Sequence, residues 1–305
     1  MKSLTSKFVL SVLSLVLTGA ALSVGVYAWF TINNTAEVQA FTTEVRAGSG
    51  FYVSLNGSDW TNIITTTDIE TLIDAENFRF DNVYSPDGVT FETFAGAAAN
   101  TDHYIEFPLY FAGNASLTGV ELTAMTLSGS QTSWIPGMNV AGTRAASPAN
   151  PSTPITDYAS NAVRISFEDQ LAASSPTITV IEKADAIEGN SLGKGTWGNN
   201  EAVLFYNAIE ANPILEADFT AATLPSTIVA AASMSTVVSP LYTVAAATSA
   251  GWTPSLPTGI TNVLGTDAEV AYVMVRVWIE GWDQEAFNAI LSGSVELSFD
   301  FEGAV

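Results

Sequence analysis

Apolar and polar positions follow two different patterns along this chain, and the change falls near residue 28. From Phe8 to Val26 the residues FVLSVLSLVLTGAALSVGV are apolar or small and carry no charge. A run of about twenty such residues is what a helix needs to cross a bilayer. Beyond it the pattern breaks into short stretches in which β-branched and aromatic residues recur at every second position. Ala36–Val45, Phe51–Leu55, Thr61–Thr67, His103–Ala112, Leu117–Leu127, Asn161–Phe167 and Thr177–Ile181 all read as strands. The clearest are Val270–Ile279 (VAYVMVRVWI) and Ser294–Phe301 (SVELSFDF).

Turn chemistry separates these runs. Asn56-Gly57 is a strong hairpin signal. In Ser85-Pro86-Asp87-Gly88, Pro86 presets φ and Gly88 tolerates a positive one. Pro108 lacks a donor, which predicts a bend or a break in its run. Helical patterns are few: Glu201–Ala211, and a short element after Asp283 that Gly293 ends. Recurrent strands with few helices predict an all-β fold, an antiparallel sandwich or jelly roll with one or two short helices. Residues 29–305 read as one domain, with 142–157 and 223–259 as loop-like insertions. The second of these, neutral and rich in Ala, Ser and Thr, is expected to hold one or two edge strands.

The first apolar run reads as a secretory signal over residues 1–28. Lys2 and Lys7 supply its positive start, and Val26 and Ala28 fit the third and first positions before a signal-peptidase cut. The cut then falls between Ala28 and Trp29. No Lys or Arg follows until Arg46, so nothing flanks the run as a stop-transfer signal. A retained N-terminal anchor is the alternative, and in that case the uncleaved segment is the chain's contact with the membrane.

Charge narrows the function classes. Nine Lys and Arg stand against 31 Asp and Glu, giving a net charge of -22 in 305 residues. Such a surface repels nucleic acid and anionic membranes, and the basic residues are too sparse to form a phosphate-binding patch. There is no Cys, which excludes disulfides, thiolate nucleophiles and zinc–thiolate sites. The single His, His103, cannot make a zincin or an all-His metal site, and no G-x-S-x-G elbow is present. Glu280 and Asp283 flank Trp282 and suggest a sugar site, although a helix start explains them better. Asp81–Gly88 is oxygen-rich enough for calcium but lacks EF-hand spacing, so a solvated turn is the default. No cofactor, metal or catalytic set is expected, and the chain is read as a non-enzyme.

The stretch AWFT, followed by INNTAEVQAFTTEVRAG, resembles the N-terminus of the TasA/camelysin group of exported Gram-positive proteins. GSGFYVSLNGSDWTNIIT and the run from Glu269 to Gly303 are similar to segments of exported clostridial proteins that begin the same way. The resemblance implies a SipW-type signal peptidase, a jelly roll, and extracellular fibres of the biofilm matrix. In those fibres an N-terminal strand completes the neighbouring subunit's sheet. The segment corresponding to that donor strand is Trp29–Phe41, with Trp29, Phe30, Ile32, Val38 and Phe41 as its apolar side chains. The chain departs from the group in being poor in Lys and in carrying the 223–259 insertion. The expectation is a secreted, acidic, cell-surface or matrix protein that self-assembles into a homo-oligomer or filament. The alternative is a monomeric adhesin or glycan-binding module that exposes a Trp such as Trp252 or Trp282.

Overall fold

The computed structural model describes residues 41–48, 50–73, 80, 82–93, 103–114, 116–135, 154–172, 174–182, 203, 207, 229–231, 236–256, 268–281, 283 and 293–305. The described residues form an all-β sandwich of mainly antiparallel sheets with two short helices. In chain order its strands are β1 (Phe41–Ala47), β2 (Tyr52–Ser54), β3 (Ile63–Ile64), β4 (Asn82–Tyr84), β5 (Glu92–Thr93), β6 (Ile105–Gly113), β7 (Gly119–Ser128) and β8 (Gln131–Trp134). They continue with β9 (Ile155–Tyr158), β10 (Val163–Asp169), β11 (Ile178–Glu182), β12 (Thr236–Pro240), β13 (Tyr242–Thr243), β14 (Glu269–Glu280) and β15 (Val295–Ala304). The helices are α1 (Thr66–Ile73) and α2 (Val244–Ser249).

The first sheet has the order β12-β7-β15-β1-β3. The second is built around β14. One edge of β14 pairs with β10, which carries β11, and its start pairs with β13. The other edge pairs with β6, which carries β2, and its end pairs with β4 and then β5. A small ribbon of β8 and β9 stands apart. Every pairing is antiparallel except β1 with β15 and β4 with β14.

The core lies between the two sheets, filled by the alternate residues of each strand. β6 turns Ile105, Phe107, Leu109 and Phe111 inward, and β14 turns in Ala271, Val273, Val275, Val277 and Ile279. From the facing sheet come Val120, Leu122, Val295, Leu297, Phe299 and Phe301. Aromatic rings cross the gap: Phe111 meets Phe301 edge-on at 5.1 Å and Phe167 meets Phe299 edge-on at 5.5 Å. Pro108 does not break β6. It sits opposite Met274 in the ladder with β14, and on the other edge of β6 strand β2 reaches only to Tyr110, so that edge asks Pro108 for no donor among the described residues.

The outer face of the second sheet is also covered, which explains why β14 is almost wholly apolar. Near its start, Val270 and Tyr272 pack with Ala112, Leu171, Ala247, Tyr242 and Trp252. Near its end, Trp278 packs with Val83, Phe91 and Val180. Between these satellites runs an ionic ladder, in which Arg276 on β14 donates to Glu106 on β6 at 2.6 Å and to Glu168 on β10 at 2.8 Å.

The structure departs from the sequence expectation at Thr61–Thr67. Only Ile63–Ile64 pairs as a strand, and Thr66 already opens α1. The reason is a capping arrangement: Asp68 Oδ2 accepts from the amide and hydroxyl of Thr65, while the Asp68 amide donates to the Thr65 carbonyl. That local gain outweighs the strand preference of threonine. The end of the first insertion is β9 (Ile155–Tyr158), while the second contains the two short strands expected of it, β12 and β13, and α2 besides. The expected helix at Glu201–Ala211 lies, apart from two positions, outside the described residues, as does the one after Asp283.

Both expected turns form. Gly57 has φ +71 and Gly88 has φ +82, and a Cβ on either would press on a neighbour, Trp252 Nε1 at 2.9 Å and Val180 Cγ2 at 2.8 Å. In the second turn Asp87 Oδ1 accepts from the amides of Val89 and Thr90. This carboxylate is engaged by its own turn, and Asp81, the other carboxylate of the calcium reading, lies outside the described residues. Burial pushes the Asp87 carboxyl up, but these amides outweigh it and hold the group below its usual 3.8. The hydroxyl and amide of Thr65 hold Asp68 down in the same way.

A carboxylate depressed in the folded state contributes stability above its unfolded pKa, and that contribution is lost as the pH falls through 3.8 toward the folded value. Urea midpoints at about pH 6 and about pH 3 should therefore differ more in the native chain than in an Asp68→Asn, Asp87→Asn double variant. Equal differences would show that neither turn contributes to acid sensitivity.

Candidate functional site

Of the residues that the sequence singles out as cleavage site and donor strand, only Phe41 is described, and it lies on the seam where β1 joins the first sheet. Ala28, Trp29, Phe30, Ile32 and Val38 lie outside the described residues. Phe41 is the first residue of β1, and its backbone sits opposite Val295 of β15. From there the register runs in parallel through Val45 opposite Phe299 to Ala47 opposite Phe301. The sequence FTTEVRA alternates as a half-buried strand should: Thr43 and Val45 are buried, while Arg46 lies outside and pairs with Glu44.

Two features of this seam bear on assembly. First, β15 begins at Val295, the partner of Phe41, so the parallel register offers no β15 residue to anything upstream of Phe41. Second, among the described residues the far edge of β1 is paired only near its end, at Val45 and Arg46 with Ile64 and Ile63, beside which the Ala47 amide donates to the Asn62 carbonyl. Among the described residues no strand pairs with that edge from Phe41 to Glu44. Helix α1 lies against β1 and β6 beside it, and its Ile69 is buried in the main core.

The opposite edge of the same sheet is β12. Among the described residues it pairs with β7 alone, and the pairing shifts register between Val237 and Ser239. Val238 is buried and Val237 is 44% exposed. This strand comes from the neutral insertion that was expected to supply an edge strand.

The sugar-site reading of Glu280 and Asp283 finds a different environment. Glu280 is wholly buried and accepts from the indole N–H of Trp278 at 3.0 Å. Beside it lies Arg164, itself wholly buried, with Nη1 3.7 Å from Glu280 and Nε 3.0 Å from Glu182. Its Nη2 donates to the Val229 carbonyl at 2.7 Å, and its guanidinium carbon stands 6.0 Å from the Trp278 ring centre. This cluster holds strands together and offers no open face to a sugar. Trp252, the other Trp considered for stacking, packs against Tyr110 at 4.9 Å and Tyr272 at 6.3 Å and covers Gly57. Trp282 lies outside the described residues.

What sequence reading did not locate is a cleft of about 730 Å³ beside α1. It is lined by Asp59 and Trp60 from the loop after β2 and by Asp68 and Thr71 from the helix. NGSDW reads as a turn, and only the folded chain sets that turn against a helix. Among the described residues no group of three or more His, Cys, Asp or Glu side chains is placed to hold a metal ion, and no helix is long and apolar enough to cross a membrane. Compared with protein-family models, curated proteins and solved structures, the chain finds no match.

Proposed function

We propose that this chain is an exported structural protein of the cell surface or extracellular matrix, which assembles into fibres by donating its N-terminal strand to a neighbouring copy. The observation that carries the reading is the register of β1. Val295 is the last β15 strand residue available to the N-terminal side, and it is taken by Phe41. In that register β15 has no strand residue to offer Trp29–Ala40, and the sheet edge of a neighbouring copy is a surface on which its apolar side chains can be buried. Leaving one large apolar side chain in water costs about 1.5–3 kcal/mol.

Strand addition supplies main-chain hydrogen bonds for affinity and alternate side chains for register. The donor leaves from the β1 side of the first sheet, and β12 lies at the other edge of that sheet. Addition of the donor to β12 of the next copy is a heterologous contact. Contacts of that kind propagate as open filaments unless a rotation closes them into a ring. The resemblance of AWFT and the following residues to the TasA/camelysin N-terminus supports the same reading, as does the hydropathy of the first 28 residues for export.

Removal of residues 29–40 from the mature chain, keeping Phe41, should leave the sandwich folded by circular dichroism and abolish filaments in negative-stain micrographs. Filaments from the truncated chain would end the donor-strand proposal. Val237→Lys should likewise prevent growth while changing stability by no more than about 0.5 kcal/mol, because a charge on an exposed edge blocks pairing without touching the core. N-terminal sequencing of the exported protein should begin at Trp29.

A further inference from the structure

We propose that the cleft between the loop after β2 and helix α1 binds a neutral saccharide, with Trp60 as its aromatic contact. This goes beyond fibre assembly and does not depend on it. Three observations carry it.

The first is size and shape: about 730 Å³ falls in the range of sites that take a small ligand. The second is the preparation of Trp60. Its indole N–H donates to the Ser255 carbonyl, and the ring joins the satellite core that also holds Trp252 and Tyr272. The ring is thus fixed in place before any ligand arrives, while part of it faces the cleft. A pyranose presents a flat array of C–H groups that such a ring can cover.

The third is the polar lining. Asp59 Oδ2 accepts from Asn56 Nδ2 at 2.6 Å, and Asp68 Oδ2 accepts from Thr65. Each carboxylate is oriented through one oxygen, and among the described residues its Oδ1 makes no hydrogen bond. Thr71 spends its hydroxyl proton on the Thr67 carbonyl and keeps its acceptor capacity. The cleft therefore offers oriented acceptors to hydroxyl donors. Among the described residues no Lys, Arg or His lines it, so the two carboxylates set the charge of this lining and disfavour an anionic sugar.

The test is calorimetric titration of the full chain with maltohexaose, cellohexaose and chitohexaose, with hexagalacturonate as the anionic comparison. At least one neutral oligosaccharide should bind and hexagalacturonate should not. Trp60→Ala should weaken that binding by about tenfold or more, and Trp60→Phe should restore most of it. Asp59→Asn should weaken it by less, since an amide still accepts through one oxygen. If Trp60→Ala does not fold by circular dichroism, Asp59→Asn and Thr71→Val decide the matter, because both residues are on the surface. Binding by none of the neutral oligosaccharides up to about 10 mM would overturn the proposal, since it leaves less than about 3 kcal/mol for the site. So would preferred binding of hexagalacturonate, or neutral binding that is unchanged in the folded variants.

Discussion

Arg164→Met should destabilise the protein by about 3–5 kcal/mol, read as a shift in the urea midpoint at unchanged slope. The side chain is wholly buried between β11 and the end of β14, where it faces Glu182 and Glu280. Removing the cation takes from two buried carboxylates the counter-charge that Arg164 supplies. The penalty comes from those stranded groups more than from the lost attraction. A second change, Glu182→Leu on the Arg164→Met background, should therefore recover part of the loss, because it removes one of the two anions. A double variant less stable than the single one would show that Arg164 acts through packing on Trp278 instead.

Phe299→Ala should cost a similar amount, about 3–5 kcal/mol, by a different route. Phe299 is wholly buried on β15 and reaches across the sandwich to Phe167, 5.5 Å away, with Phe301 at 5.9 Å on its own strand. Its removal opens a cavity where the two sheets meet, and sheets pinned by their ladders cannot close on it. Phe299→Leu should cost markedly less, since most of the volume is kept. Thermal or urea unfolding of the pair checks both statements. Equal losses for Ala and Leu would point to ring geometry rather than cavity volume.

The sequence made the sandwich legible where side-chain alternation alone decides the structure. VAYVMVRVWI and SVELSFDF are strands in any context, and they became the central strands of the two sheets. Thr61–Thr67 was not legible in the same way. Three threonines favour a strand, and the competing cap from Asp68 is worth more than their preference. Arg164 shows a harder limit. In VRISFED it occupies the outward position of a half-buried strand, where a solvated charge is the ordinary expectation. Val229 and Trp278, distant in sequence, cover that position and turn it into a buried ion cluster. The cleft at Trp60 follows the same rule. One wall is readable as a turn, the other is the helix start that the strand-like threonines concealed, and their apposition is a property of the fold. The reading of residues 1–28 as a secretory signal rests on hydropathy and charge alone and lies outside the described residues.

The position of β14 and β15 has a consequence for the order of events during folding. Both central strands come after residue 268, while β6, β7, β10 and β12, which flank them, are synthesised earlier. Until the ribosome has passed that point, the flanking strands lack the partners that join them, and neither sheet has a middle. The pairings that complete them span long sequence separations, such as Phe41 with Val295, and loop closure makes such contacts slow. Pairs such as β10 with β11 and β7 with β12 need nothing beyond residue 268, but neither sheet can be completed until the two central strands have been made.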